Sequence, residues 1–353
     1  MSALICIGAG ESQYPVILKA KELGHTVIAI DQNPNSLGFT IADEKLILST
    51  FDANSLIEPI MKLSEKYNIY GILNRSSGPP VVTTAVLAQT LNIPSYSQEM
   101  ANKIIQKHEL MRKCTRYGIP APKSTSFSKL GELHKIDFKY PCVLRPSLSL
   151  IGKSGVSLIR KKSELINAAN HALNASINNI AILDEYIEGF DLSFISFVDN
   201  GELIPICIMD EINKQNNNGN VSGRGFAIPS IHADLNIKNK IYNIANVIIR
   251  KFEIIRSPFM ISFRVGEDNN PKLIEIHLDL GGDLLIEKLF PEALNFDFLS
   301  FSISLLSGKK PELPDIHIKP CAIIYEVGTG LITERDSTIL NANTIEELSI
   351  LID

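Results

Sequence analysis

Residues Leu273 to Asp283 read LIEIHLDLGGD, an apolar run in which every second residue from Glu275 to Asp279 is polar. Successive side chains of an extended chain point to opposite faces, so Glu275, His277 and Asp279 share one face and three aliphatic residues share the other. The Gly-Gly pair that follows ends the strand and leaves space for a ligand near the backbone. Two carboxylates and an imidazole on one face predict a site for a hard cation, and a solvated edge strand is the alternative.

The chain has 353 residues, of which 45% are hydrophobic and 21% are charged, as is typical of a folded protein with two or three domains. The net charge is -5 and no block of Lys and Arg stands out, so we expect no extended nucleic-acid interface. No apolar run is long enough for a membrane span and no signal pattern is present, so we expect no membrane association. Five scattered cysteines without a C-x-x-C pair predict buried, reduced thiols and a cytoplasmic location.

The first part of the chain alternates short β-branched strands with helices, a pattern typical of a parallel sheet covered on both faces. Strands are predicted at 3–7, 26–31 and 70–73, and helices at 14–23, 55–67 and 81–91. Ligands of such sheets bind beyond the carboxyl ends of the strands. We therefore expect the loops after these strands to hold a substrate, with Arg75 as a candidate for a carboxylate and Ser77 for a further contact.

The first turn, GAGESQ, is also compatible with a dinucleotide site, because Asp31 stands about 20 residues beyond the glycines, where an acid binds a ribose hydroxyl. Gln13 occupies the place of the third glycine of that motif. A dehydrogenase is therefore an alternative that only this segment favours.

The second half of the chain has an α+β pattern. A break at Asn92 to Ser97 is followed by a predicted helix from about Gln98 to Tyr117, which a glycine stops, with a proline just beyond. Further helices are predicted at 161–173 and 237–252, strands at 140–147, 154–159, 181–186, 192–198, 203–209, 259–265 and 272–279, and a mobile polar loop at 213–225.

Several segments of this half stand in a recognisable order: NKIIQKHELMRKCTRYGIP from Asn102, YPCVLRPS from Tyr140, AILDEYIEGFDLSF from Ala181, and LIEIHLDLGGD. Together they resemble the ATP-grasp superfamily, in its branch of carboxylate-amine ligases and biotin-carboxylase-like enzymes. The resemblance implies an α/β fold, in which a Rossmann-like pre-ATP-grasp domain precedes a two-lobed α+β ATP-grasp domain. The implied segments are the leading domain at 1–95, a linker helix with the first lobe at 96–180, the second lobe with the adenine hinge and metal strand at 181–310, and a C-terminal strand-helix extension at 311–353.

The resemblance implies three cations at the phosphates of ATP. Lys107 falls where the family has a phosphate-contacting lysine. Arg145 stands where a lysine is usual, and an arginine binds phosphate as a planar fork. Lys153 lies in the loop that closes over the phosphates, a loop that has fewer glycines here than is usual.

The hinge segment implies the adenosine contacts. A strand end offers backbone N–H and C=O groups to the adenine edge, and an acid beyond it binds the ribose. Asp184 and Glu185 take the places near the adenine amine, Ile187 takes the backbone contact beside Tyr186, and Asp191 takes the place of the ribose-binding acid.

The metal strand departs from the family pattern. Glu275 aligns with the metal-bridging glutamate and His277 with a second ligand that is usually Asn, while Ser262 occupies the place of an acid on the partner strand. Asp279 stands where an arginine normally holds the acyl phosphate. Three interpretations are open: Asp279 restores the second carboxylate, His277 favours a softer ion such as Mn²⁺, or the site is degenerate.

The lost arginine leaves the acyl phosphate without its usual cation. Arg264 and Arg224 are the candidates to replace it. The function implied by the resemblance is ATP-dependent ligation of a small carboxylate to a small amine through an acyl phosphate, with ATP and Mg²⁺ as cofactors. A non-catalytic nucleotide-binding relative is the alternative, and a homodimer is the expected assembly because dimers are the commonest oligomers.

Overall fold

The computed structural model describes residues 2–149, 153–215, 219–313, 315–326 and 337–352. In these ranges the chain forms two four-stranded sheets and one seven-stranded sheet with helices, which confirms the expected α/β class. No helix in the described part is both long and apolar enough to cross a membrane. All five cysteines are buried and have free thiols.

The leading sheet is parallel, with the strand order β3-β2-β1-β4. It consists of β1 (Ser2–Ile7), β2 (Thr26–Ile30), β3 (Glu44–Leu46) and β4 (Asn68–Asn74), with helices α1 (Tyr14–Glu22), α2 (Ala53–Lys66) and α3 (Pro79–Thr90). Strands β1 and β2 are buried along nearly their whole length, as expected for a sheet with helices on both faces. The loops after β1, β2 and β4 therefore meet at one edge.

The expected single linker helix is in fact two helices, α4 (Gln98–Ile105) and α5 (Lys107–Tyr117). Gln106 between them has an extended backbone, with φ -98° and ψ 98°. The N–H of Lys107 donates to the carbonyl of Ser147 at 2.9 Å instead of continuing the helix. This tertiary hydrogen bond places Lys107 at the start of α5, beside the end of the strand that precedes Ser147.

The second four-stranded sheet is antiparallel, with the order β5-β8-β6-β7. Its elements are β5 (Ser124–Phe127), β6 (Cys142–Pro146), β7 (Ser157–Ile159), β8 (Ala181–Glu185) and the covering helix α6 (Leu165–Ala175). Strand β8, which we assigned to the second lobe, pairs within this sheet. We therefore propose that the second lobe begins after Glu185.

The seven-stranded sheet has the order β13-β12-β9-β10-β11-β14-β15. Its strands are β9 (Gly189–Asp199), β10 (Glu202–Gln215), β11 (Val221–Ile228), β12 (Ser257–Gly266), β13 (Pro271–His277), β14 (Cys321–Tyr325) and β15 (Ser337–Asn341). The other helices are α7 (Leu235–Phe252), α8 (Phe290–Ala293), α9 (Phe298–Leu306) and α10 (Ile345–Ile352), with short 3₁₀ turns at 37–40, 130–135 and 162–164 and one π-turn at 285–289. The segment after residue 311 thus contributes two strands to this sheet.

The prediction of a mobile loop at 213–225 is wrong over most of its length. The described residues of this segment extend β10 and begin β11, and the two strands pair from Asp210 and Ala227 to Gln215 and Val221. Pairing with a neighbouring strand outweighs the weak strand propensity of Asn and Gly. Residues 216–218 lie outside the described residues.

The leading sheet packs on α9, and this contact sets the direction of its ligand edge. At Gly71 in β4, a Cβ atom would lie 2.6 Å from the carbonyl oxygen of Leu306, so only glycine allows the helix to approach so closely. At the carboxyl end of β4, the N–H of Leu280 donates to the carbonyl of Asn74 at 3.0 Å. The loop after β4 therefore lies beside the chain that follows β13.

Candidate active site

A β-bulge in β13 decides which side chains face the cleft, by which we mean the space between β6 and the β9–β13 face of the seven-stranded sheet. Ser262 of β12 is opposite Glu275, but the next residue of β12 is opposite Leu273, so Ile274 is the extra residue. Leu273 and Ile276 are buried in the core, while Glu275 lies on the cleft face. Strict alternation placed Ile274 on the core face, and the bulge explains why that prediction is wrong.

Glu275 forms an ion pair across the cleft with Lys107. The Nζ–Oε1 distance is 2.7 Å, and His277 Nε2 lies 3.9 Å from the other carboxylate oxygen. Burial by itself would raise the pKa of Glu275, but the positive charges of Lys107, His277 and Arg145 outweigh it and lower the pKa to about 2. Glu275 is therefore a fixed negative charge at any physiological pH.

Asp279 lies beyond the end of β13 and does not join Glu275 and His277 in a metal-binding group. Its Oδ1 accepts a hydrogen bond from the N–H of Gly281 at 2.9 Å, and its Oδ2 is buried without a partner. Burial raises the pKa of this carboxyl group. Within the described ranges, no three His, Cys, Asp or Glu side chains are placed to hold a metal ion. The expected set of Glu275, His277 and Asp279 is thus corrected, because the strand ends before Asp279.

Arg145 is buried and is held by two protein acceptors. Its Nε donates to Asp184 Oδ2 at 2.6 Å and its Nη1 donates to the carbonyl of Ile274 at 3.0 Å, whereas Nη2 has no hydrogen-bond partner among the described residues. Asp184 also accepts from the Ser124 hydroxyl. The carboxylate of Asp184 is therefore bonded to Arg145 and Ser124, and its expected place near the adenine amine stays a prediction.

Lys153 meets a carboxylate that the sequence analysis missed. Its Nζ lies 3.0 Å from Glu211 Oε2 in β10 and donates to Asn213 Oδ1 at 2.6 Å. Burial by itself would raise the pKa of Glu211, but the charge of Lys153 and the hydrogen bonds that Glu211 accepts outweigh burial and lower this pKa. The available signal was the acidic pair of MDEI within an otherwise apolar strand.

The hinge after β8 carries its own polar network. Asp191 Oδ2 accepts from Asn213 Nδ2 at 2.7 Å and lies 3.1 Å from Arg264 Nη1. Arg264 Nε donates to the carbonyl of Ile187 at 2.9 Å, and its guanidinium lies 5.8 Å from the centre of the Tyr186 ring. Glu185 pairs with Lys272 at 3.1 Å.

Both arginines expected at the acyl phosphate have hydrogen-bond acceptors within the protein. Arg264 is committed to the hinge through Ile187 and Asp191. Arg224 lies in β11, and its Nη1 donates to the carbonyl of Glu326 at 3.0 Å. The register of the sheet pairs each arginine with acceptors far away in the sequence, and a role for either at an acyl phosphate stays a prediction.

Arg75 is buried and connects three segments. Its Nε donates to the carbonyl of Gly281 at 2.9 Å, its Nη1 donates to the carbonyl of Ser12 at 2.6 Å, and its Nη2 donates to Glu287 Oε2 at 2.8 Å. In this arrangement Arg75 holds the three segments together, and its role toward a substrate carboxylate stays a prediction. Ser77, by contrast, lines a pocket that Lys107 and the chain from Glu275 to Asp279 also line.

The first turn of the leading domain is occupied by its own side chains. Asp31 Oδ2 accepts from the N–H of Ala9 and its Oδ1 accepts from the N–H of Asn33, both at 2.9 Å. Gln13 Nε2 donates to the Ser76 hydroxyl at 3.0 Å. Asp31 is thus used to hold the turn, and this arrangement argues against the dinucleotide site.

The Lys107–Glu275 pair should make stability depend on pH in the acid range. The pKa of Glu275 falls from 4.5 to about 2 on folding, so the contribution is complete above about pH 4.5 and is lost as the pH falls toward 2. We expect Lys107→Met to show a smaller fall in melting temperature than the parent across this window. An equal fall in melting temperature in the parent and in Lys107→Met would contradict the ion pair between Lys107 and Glu275.

Residues 104–277 match the family model described as the ATP-grasp domain. Among curated proteins, the formate-dependent phosphoribosylglycinamide formyltransferase of Prochlorococcus marinus is 26% identical over 204 residues, which is 54% of this chain and 49% of the relative. The chain spans about half the length of the curated relatives it matches.

Two solved structures show the same fold over most of the chain. The L-amino acid ligase of Bacillus licheniformis superposes with a TM-score of 0.75 at 16% identity, covering 93% of this chain and 80% of that one. The biotin carboxylase domain of the Hydrogenobacter thermophilus 2-oxoglutarate carboxylase, solved with MgADP, ADP and bicarbonate, gives a TM-score of 0.70 at 18% identity, covering 92% and 74%. Residues 104–277 of this chain therefore form an ATP-grasp domain.

Proposed function

We propose that the protein is an ATP-dependent ligase that joins a carboxylate to an amine through an acyl phosphate. The observation that carries the proposal is the arrangement of three cations around the cleft. Lys107, Arg145 and Lys153 come from three separate segments, and each lies against a carboxylate. Three fixed cations facing one cleft of an ATP-grasp domain are suited to a triphosphate.

The proposed reaction has two steps. A carboxylate oxygen of the substrate attacks the γ-phosphorus of ATP, so a new O–P bond forms, the bond to the β,γ-bridging oxygen breaks, and ADP leaves. The amine nitrogen then attacks the acyl carbon, phosphate leaves with the electrons of the acyl C–O bond, and the amine proton passes to phosphate or water. The protein supplies positions and charges rather than a nucleophile.

Arg145 is prepared for a phosphate oxygen. Two of its nitrogens are fixed by protein acceptors, and Nη2 is buried without one. A buried N–H group without a partner costs about 1–3 kcal/mol, so a phosphate oxygen at this nitrogen would bind with an orientation already set.

The donors around Glu275 fit Mg²⁺. This ion is usually held by one or two carboxylates together with substrate phosphates, and it does not need a cage made only of protein ligands. Glu275 is the protein ligand that we assign, and the bound cation would neutralise phosphate charge. His277 lies close enough to Glu275 to favour Mn²⁺ as an alternative.

We place the adenine against Tyr186 to Glu188 and the ribose at Asp191. We expect Asp191→Ala to weaken ATP binding by about 1–2 kcal/mol, through loss of one hydrogen bond to a ribose hydroxyl. Isothermal calorimetry with ATP and with inorganic triphosphate separates the two contributions. A loss that is equal for both ligands would contradict the assignment, because triphosphate has no ribose.

A coupled assay of ADP formation tests the proposed function. Formate and L-amino acids serve as the acids, since the names of the formyltransferase and the L-amino acid ligase specify them. Hydroxylamine is the amine, because it converts an acyl phosphate to a hydroxamate that iron(III) detects. We expect ADP and hydroxamate only when acid, Mg²⁺ and ATP are all present. No ATP binding with Mg²⁺ by calorimetry would overturn the proposal.

We also propose a cytoplasmic location and a homodimer. Five buried free thiols suit a reducing compartment. The Hydrogenobacter thermophilus domain is described as a dimer.

A further inference from the structure

Ser262 stands opposite Glu275 in the pairing of β12 with β13, and it stands opposite Ser193 in the pairing of β12 with β9. The three residues therefore form a row across the cleft face of the sheet. Glu275 is the only acid in this row. A second carboxylate beside Ser262 must therefore reach it from outside the row.

Glu211 reaches this place from β10. Its Oε1 accepts from the Ser193 hydroxyl at 2.6 Å and from the Ser262 hydroxyl at 2.9 Å, and the side chain is only 11% exposed. The carboxylate thus lies over two neighbouring strands, 51 residues from Ser262 in the chain. The two serines are short enough to leave room for it, and both donate to it.

These hydrogen bonds have the form of those that orient metal-binding carboxylates. A ligating carboxylate is normally fixed by donors on one oxygen, which leaves the other oxygen directed at the ion. Here both hydroxyls bind Oε1, and Oε2 meets only the Nζ of Lys153 at 3.0 Å among its described contacts. Glu275, on the other side of Ser262, likewise has one carboxylate oxygen close to a lysine, with Lys107 Nζ 2.7 Å from its Oε1.

The surrounding charges also indicate an anionic ligand between the two carboxylates. Each carboxylate is neutralised by a lysine that can turn to a phosphate. The buried Nη2 of Arg145, which has no partner among the described residues, belongs to the guanidinium that is bonded to Ile274, next to Glu275. Lysines and Arg145 would face phosphates, and Glu211 and Glu275 would be left to face a cation.

We propose that Glu211 supplies the second carboxylate of the divalent-cation site, in the place of the acid absent at Ser262. This inference rests on the proposed function, because the cation is the one bound with ATP. The ligand class is a hard divalent cation, Mg²⁺ or Mn²⁺, shared between Glu211, Glu275 and nucleotide phosphates. Asp279 is not needed for this set.

A purely structural role is the rival: Glu211 would serve only to hold Lys153 in place. In that case, loss of Glu211 would weaken nucleotide binding by the same factor with metal and without it. The informative quantity is therefore the ratio of nucleotide affinities in the presence and absence of metal, and not either affinity alone.

The test measures binding of a non-hydrolysable ATP analogue by calorimetry, with Mn²⁺ and with EDTA, in the parent, Glu211→Gln and Glu202→Gln. Glu202 is the matched control, because it is exposed at the other end of β10. We expect metal to tighten binding in the parent and in Glu202→Gln, and the ratio to fall about tenfold or more in Glu211→Gln. Mn²⁺ electron paramagnetic resonance of the nucleotide complex should show the same loss.

The outcomes separate the two proposals. If metal does not tighten nucleotide binding in the parent protein, the proposed function is overturned. If metal tightens nucleotide binding in the parent protein and equally in Glu211→Gln, the proposed role of Glu211 is overturned. The double variant Glu211→Ser/Ser262→Glu moves the carboxylate to β12. We expect metal to tighten nucleotide binding again in this variant. A role of Glu211 that is limited to holding Lys153 would not predict this recovery.

Discussion

Replacing Glu275 by Gln is expected to lower ATP turnover by about 10²–10³-fold while leaving the fold intact, a loss typical of removing one fixed electrostatic group from an active site. Gln has nearly the same volume, and its amide oxygen can still accept from Lys107, so the packing of β13 is preserved. What is lost is the negative charge, which the structure holds with a pKa of about 2.

The measurement is ADP formation at saturating ATP and Mg²⁺, with the melting temperature recorded in parallel. Glu267→Gln is the control, since Glu267 is an exposed acid in the turn between β12 and β13. Full turnover in Glu275→Gln would exclude Glu275 as a metal ligand. A loss of turnover accompanied by a large fall in melting temperature would instead show a structural role.

Replacing Arg75 by Met is expected to reduce the free energy of unfolding by about 3–5 kcal/mol, the usual cost of removing one partner of a buried ion pair. Arg75 is 3% exposed in its side chain, and Glu287 is 19% exposed. Loss of the guanidinium leaves the carboxylate of Glu287 and the carbonyls of Ser12 and Gly281 without their donor. Urea unfolding measures the effect.

The control for this variant is Arg112→Met, in which the arginine side chain is 74% exposed and pairs with Glu109. Exposed pairs contribute at most about 1 kcal/mol. The double variant Arg75→Met/Glu287→Leu should recover part of the loss, because it removes the unpaired carboxylate. Unchanged stability in Arg75→Met together with a raised KM for the acid would instead support Arg75 as a substrate ligand.

Most of the elements were predictable because their signals are local. The apolar runs of β1 and β2 and the Gly-Ile-Pro that ends α5 each lie within a few residues of the element that they determine. The break at Gln106 was not predictable, because nothing in its own segment ends a helix there. The break depends on the carbonyl of Ser147, 40 residues away, which accepts from the N–H of Lys107.

Some features of the candidate site were likewise predictable from local motifs, and others were not. The order of motifs identified Lys107, Lys153 and Glu275, and the structure brings each of them to the cleft beside an opposite charge. The contacts of Arg75 and Arg264 were not predictable, because their acceptors come from other elements. Glu287, for example, is 212 residues from Arg75.

The sequence by itself thus determined the class of fold, the succession of its elements and the cationic side chains that line the cleft, because periodicity and motif spacing act over short distances along the chain. The tertiary structure alone decided the bulge at Ile274, the contacts of Arg75 and the approach of Glu211 to Ser262. Each depends on the register between strands or on contacts between domains. The register of the strands and the packing of the domains are set by burial and hydrogen bonding across the whole fold. No local pattern of residues encodes them.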